Sequence, residues 1–134
     1  MEVTVEHLGA VQFEIKARQH TVISDQPAEN KGFDEGMTPP ELLLASLASC
    51  AAFYAVDYLV RNHIERQGVK TRVTADKVKG PFRLDNFKIE VEIPGDLDEE
   101  QVKGVEDAVH RCLIHNTLLH PPKMEVAINV AVPA

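Results

Sequence analysis

TPPELLLASLASCAAFYAVDYL, residues 38–59, decides how this chain is read. Thr38 is a strong helix N-cap, Pro39 suits the first helical position, and Glu41 falls three residues after the cap. That combination is a capping box leading into an apolar run. From Leu42 to Val56 fifteen residues pass without a charge, interrupted only by Ser46 and Ser49. A membrane-spanning helix needs about 20 such residues, and Asp57 follows at once, so a buried helix is the better reading. The pattern extends to Gln67, where Gly68 supplies a stop. Such a helix is about 40 Å long at 1.5 Å per residue. It is apolar almost all round in its first half and half exposed in its second. It is long for so small a domain, and a second subunit is expected to cover part of its apolar surface.

Before this helix, Val3, Val5 and then Val11, Phe13, Ile15 alternate with polar residues, which predicts two strands with a corner at Leu8-Gly9-Ala10. Thr21–Ile23 adds a short third strand, and Asp25–Met37, rich in glycine and acid, reads as a surface loop. After it, Val69–Val78 and Phe87–Ile93 alternate and should pair antiparallel through Gly80-Pro81. Asp98 caps a second helix carrying Val102, Val105, Ala108 and Val109 and running into Arg111 and Cys112. Beyond the break at Pro121-Pro122, Met124–Val132 alternates as a last strand. Strands, long helix, strands, helix, strand make an α+β fold, with residues 1–134 as one domain.

With 134 residues and a net charge of −7, the chain has room for one core and a surface that repels phosphate backbones. Its Lys and Arg residues are scattered rather than clustered. No leader peptide is visible at the start, so the cytoplasm is the expected location. No P-loop, GxGxxG or GxSxG motif is present.

The two cysteines, Cys50 and Cys112, lie 62 residues apart, which excludes CxxC chemistry. They are either unrelated buried thiols or distant thiols brought together by the fold. Leu43, Ser46, Leu47, Phe53, Tyr54 and Asp57 share the helix face of Cys50, a mixed surface that suits either a pocket wall or plain packing. Cys112 stands in HRCLIHNTL, where His110 and His115 make half of a metal site with His120 as the nearest further ligand. A closed zinc site wants four ligands. Arg111 and the histidines read more simply as solvent-facing groups near a helix end.

PxELLLASLASC on a helix, followed at a distance by CLIHNTL, resembles the OsmC/Ohr family. The resemblance runs from about Arg18 onward and favours the general OsmC-like branch over the organic hydroperoxide resistance proteins proper. It implies an intertwined α+β homodimer with two sites at the interface, acting as a thiol peroxidase on organic hydroperoxides without metal or cofactor. By that resemblance Cys50 is the peroxidatic thiol and Cys112 the resolving one. The family's strand-region arginine corresponds to Arg18, the only arginine ahead of the long helix, and its glutamate to Glu41. An external dithiol, either a small molecule or a lipoyl or thioredoxin-type protein, would recycle the enzyme. Glu41 precedes Cys50 by nine residues, which puts the two on opposite sides of an ideal helix and about 13 Å apart along it. A bridging arginine or a partner subunit is needed to join them. The alternative on the same fold is a non-enzymatic dimer that responds to redox state or binds an apolar small molecule.

Overall fold

The computed structural model describes residues 1–131. Helix α1 (Pro39–Arg61) begins as its first turn dictates. The Glu41 amide donates to the Thr38 hydroxyl at 3.4 Å, and the Thr38 amide donates back to the Glu41 carboxylate at 3.0 Å. The helix ends at Arg61, six residues before the expected Gln67. His63 takes a left-handed φ of 56°, and the Ile64 amide reaches the Leu59 carbonyl at 2.8 Å while the His63 amide reaches Val60 at 3.2 Å. That is a Schellman closure built on histidine instead of glycine. Gly68, at φ 86°, serves the turn into the next strand instead.

The strands before α1 are β1 (Thr4–Gly9), β2 (Gln12–Ala17) and β3 (His20–Ser24), an antiparallel meander. Val5 faces Ile15 and Phe13 faces Ser24 in its register. After α1 come β4 (Lys70–Val78) and β5 (Arg83–Glu92), a separate antiparallel pair with Val73 opposite Ile89. β5 starts four residues before the expected Phe87. Then follow α2 (Glu99–His110), capped reciprocally by Asp98 and Gln101, and a short α3 (Leu113–Leu119) that the sequence reading did not contain. Among the described residues the expected last strand is absent: residues 124–131 pair with none of them, and Val132 lies outside them. Met124, Val126, Ile128 and Val130 are 84–87% exposed. Alternation supplies a strand's two faces, but a strand exists only where an edge receives it.

The chain is thus a mixed α+β fold with antiparallel strands and three helices. α1 packs against α2, β4, β5 and α3, whereas the meander pairs chiefly within itself. By length and composition alone α1 would pass as a membrane span; four elements, α2, β4, β5 and α3, are laid against it, which makes it the central helix of the fold. Its buried positions are Leu47, Ala51, Ala55 and Leu59. Leu59, Ala55 and Val105 of α2 form the core, wrapped by Tyr58, Ile64, Val91, Ile93 and Val109. The small residues have a purpose here. A Cβ on Gly104 of α2 would collide with the Tyr58 ring, so the α1–α2 seam closes only around glycine.

Asp25, 1% exposed, shapes the loop that leads into α1. Its carboxylate accepts from the amides of Gln26 (2.7 Å), Phe33 (3.2 Å) and Glu35 (3.1 Å) and from Gln12 Nε2 (3.0 Å). Burial, the largest single influence, pushes this carboxyl up, but the donors together outweigh it and hold it below the ordinary aspartate value.

Candidate active site

The fold brings the two distant cysteines together. Cys50 sits near the middle of α1, half-buried, and Cys112 stands at the break between α2 and α3, fully buried. The two free thiols are neighbours, close enough for Cys50 to act on the ionisation of Cys112. α2 ends at this point because Arg111 caps it, its amide reaching Ala108 at 3.0 Å. The Cys112 amide donates to Val109 at 3.0 Å, and its carbonyl accepts from Asn116 at 3.0 Å to start α3. Burial pushes the Cys112 thiol up, and the Cys50 thiol pushes it further; the Ile114 and His115 amides pull the other way without prevailing. Cys112 is therefore held as a protonated thiol behind Cys50, and Cys50 is the sulfur with access to solvent.

The mixed face around Cys50 is less polar in effect than its composition suggests. The Ser46 and Ser49 hydroxyls donate to the carbonyls of Leu43 (2.8 Å) and Ser46 (3.2 Å), bonding back onto their own helix. Asp57 pairs with Arg61 at 2.9 Å. What this face offers to a ligand is apolar. Leu43 and Leu47, two turns and one turn before Cys50, line a cavity of about 660 Å³ closed by Phe87 and Ile89 of β5 and by His115 and Leu118 of α3. A second cavity of about 630 Å³ lies between β5 and α2, walled by Val91, Ile93, Val102 and Val105. Ile89 and His115 belong to both cavities.

Glu41 keeps its capping role. Its carboxylate accepts from the Thr38 amide at 3.0 Å and the Thr38 hydroxyl at 2.8 Å, and these bonds, helped by Lys77, hold its pKa low. It also lines a third cavity, of about 790 Å³, with Lys77 and Arg83. Arg18 occupies the β2–β3 turn at φ 54° and is exposed. Among the described residues no hydrogen bond or ion pair joins it to Glu41 or Cys50 within the protomer.

Two residues of this region were missed by sequence reasoning. His115, read as solvent-facing, is half-buried with a buried Nδ1; its spacing of three from Cys112 was the available signal. Arg83 lies at the junction of two cavities and nothing in its surroundings marked it. His110 and His115 stack edge to face with centroids 5.6 Å apart, and among the described residues no group of three or more His, Cys, Asp or Glu is gathered about one point.

A long helix and a short one that hold two thiols in contact, on an α+β frame of antiparallel strands, define a known class. Residues 32–127 match the sequence profile of the OsmC-like proteins. The chain belongs to the OsmC-like protein family. The fold is shared with an osmotic-stress and detoxification-response candidate from Psychrobacter arcticus (25% identity, TM-score 0.79, 89% of this chain on 88% of that one). It is shared with an OsmC-like protein from Mycoplasma pneumoniae (23%, 0.75, 90% on 87%). An organic hydroperoxide resistance protein from Elizabethkingia anophelis also has it (20%, 0.65, 89% on 87%). No curated protein matches the chain.

Proposed function

We propose that this protein is a two-cysteine peroxidase that reduces organic hydroperoxides to alcohols, acting in the cytoplasm as an intertwined homodimer of a single-domain chain. The observation that carries the reading is the adjacency of Cys50 and Cys112, one half-buried and one fully buried, which is the arrangement a peroxidatic and a resolving thiol require. The Cys50 thiolate attacks the distal peroxide oxygen, the O–O bond breaks, and the alkoxide takes a proton and leaves as alcohol. Cys50 is then a sulfenic acid. Cys112 attacks that sulfur, water leaves, and a disulfide remains for an external dithiol to reopen by exchange. The apolar cavity beside Leu43 and Leu47 favours an alkyl hydroperoxide over hydrogen peroxide.

Arg18 and Glu41 complete the site in this reading. A guanidinium beside Cys50 favours its thiolate, and Glu41 would fix that guanidinium in place. Because the meander is so loosely tied to its own α1, Arg18 is assigned to the site of the second subunit. Val5, Leu8 and Val22 on the meander, Phe53 on α1 and the C-terminal apolar residues are all exposed in the protomer, an amount of apolar surface that supports a paired form. Sedimentation at micromolar concentration should give a dimer; a monomer would remove the basis for Arg18.

The central test is direct. One equivalent of an organic hydroperoxide should produce a Cys50–Cys112 disulfide within seconds, seen as loss of both titratable thiols and by peptide mapping. Two thiols still titratable after that treatment would defeat the reading. In that event the two apolar cavities favour the second reading, a binding protein whose ligand stabilises the fold equally well in Cys50→Ser.

A further inference from the structure

We propose that the open cavity beside Tyr54 and Arg111 is the docking site of the recycling reductant, and that Arg111 selects a small dithiol carrying a carboxylate; this rests on the two-cysteine reading above. The cavity holds about 590 Å³, enough for a small molecule. Its walls place it next to the cysteine pair. Tyr54 lies one turn beyond Cys50 on the same face of α1. Arg111 and Leu113 are the residues on either side of Cys112. Leu47, one turn before Cys50, lines the apolar cavity assigned to the hydroperoxide. The pair is thus flanked along α1 by two cavities that share no lining residue.

The two cavities differ in chemistry. In the hydroperoxide cavity the charged groups Arg83 and Asp85 neutralise each other at 3.3 Å. In the second, Tyr54, Asn116 and His120 offer polar groups, and no carboxylate lines it among the described residues. Arg111 is exposed, and only its Nη1 is engaged, donating to the Asp107 carbonyl at 3.3 Å. It has no ion pair among the described residues. The Asp107 carboxylate is taken by Lys103 at 2.9 Å, and that of Glu106 lies 4.0 Å from His110. Nη2 and Nε are left for the two-pronged contact that suits a carboxylate. The chain as a whole carries −7 and repels an acidic thiol, so a preference for one needs a local cation.

The exchange needs no further reactant. A thiolate of the reductant attacks Cys50 Sγ, the less buried sulfur, the Cys50–Cys112 bond breaks, and Cys112 leaves as a thiolate. The second thiol of the reductant then attacks the reductant's own sulfur in the mixed disulfide, and Cys50 leaves. Two protons pass through solvent from the reductant to the protein. The sum is two protein thiols and one cyclic disulfide.

The test compares dihydrolipoate with dihydrolipoamide, the same dithiol with and without a carboxylate. The Cys50–Cys112 disulfide is made with diamide, which asks for no peroxidase activity. Its reduction is followed in single turnover, and each rate is divided by that reductant's rate on a small disulfide. In the unaltered protein the acid should be faster by about 10-fold, the low end for a hydrogen bond to a charged group. Net charge alone would make it slower. The advantage should fade between about 0.01 and about 1 M salt, as the Debye length falls from about 30 Å to about 3 Å. In Arg111→Gln the ratio should drop to about 1 or below, since only the repulsive field remains. Arg111→Lys should keep part of it. The first two measurements need no variant, so a misfolded Arg111→Gln does not spare the idea. An acid no faster than the amide in the unaltered protein, or a preference that survives Arg111→Gln, overturns the site and leaves the peroxidase reading standing. A disulfide that diamide forms and an organic hydroperoxide does not would instead defeat the peroxidase reading. Absence of any disulfide with either oxidant overturns both.

Discussion

Cys50→Ser should lower the turnover of an organic hydroperoxide by about 10³-fold or more, the scale seen when a nucleophile is removed from a concerted site, while the folded state persists. The change exchanges one atom at a half-buried position, so packing is nearly preserved. What is lost is chemical. A hydroxyl ionises far above neutral pH, and its oxygen is a poor nucleophile toward peroxide compared with a thiolate. Cys112 cannot substitute. It is fully buried, and burial and its neighbour hold it as a thiol. Consumption of hydroperoxide in the presence of a dithiol measures the effect. Residual activity above a tenth of wild type would mean that Cys50 is not the reacting sulfur. Cys112→Ser is the informative companion, because the first oxidation should proceed and then stall, leaving Cys50 open to further oxidation.

The parts of the fold that were legible are the ones written in short-range chemistry. The start of α1 is coded by Thr38, Pro39 and Glu41 within one turn, and both hairpins by alternation around tight turns. Its end was misread because the left-handed residue is His63 and not a glycine. The choice of stop there depends on Ile64 finding the core around Leu59, which is a tertiary fact. α3 escaped notice because seven residues between a cysteine and a proline pair carry too little periodicity to announce a helix. The expected strand Met124–Val132 was read from alternation alone, but a strand also needs a receiving edge, and residues 124–131 meet none among the described residues.

The site divides in the same way. Cys50 and its face were visible from helical spacing, but the meeting of Cys50 with Cys112 is a contact across 62 residues that only the resemblance suggested. Ser46 and Ser49, which in sequence fitted plain helix packing better than a pocket, are spent on their own helix. Arg18 was found by elimination, and the meander that carries it pairs chiefly within itself, so the protomer leaves it exposed and apart from Cys50.

Leu59→Ala should cost about 3 kcal/mol of stability, within the range of about 2–5 kcal/mol for emptying a well-packed leucine site. A domain of this size has about 5–15 kcal/mol in total, so the loss is a large share and is measurable by urea denaturation. The site has little means of relaxing. Leu59 is fully buried, and the residues around it, Ala55 and Val105 first, are too small or too short to swing into the space. On the α2 side Gly104 lies so close to the Tyr58 ring that a Cβ there would overlap it, so α2 already sits tight against α1 at that point. A second effect adds to the cavity. The Leu59 carbonyl closes α1 by accepting from the Ile64 amide at 2.8 Å, and Ile64 packs on the same cluster. Truncating Leu59 removes the apolar contact that accompanies this closure and should fray α1 beyond Tyr58. Exchange of the His63 and Ile64 amides should therefore speed up more than that of amides near Cys50. A loss below about 1 kcal/mol with the closure still protected would mean that the α1–α2 core yields where it is described as rigid. The thiol pair, held between the same two helices further along, would then need another source of its fixed geometry.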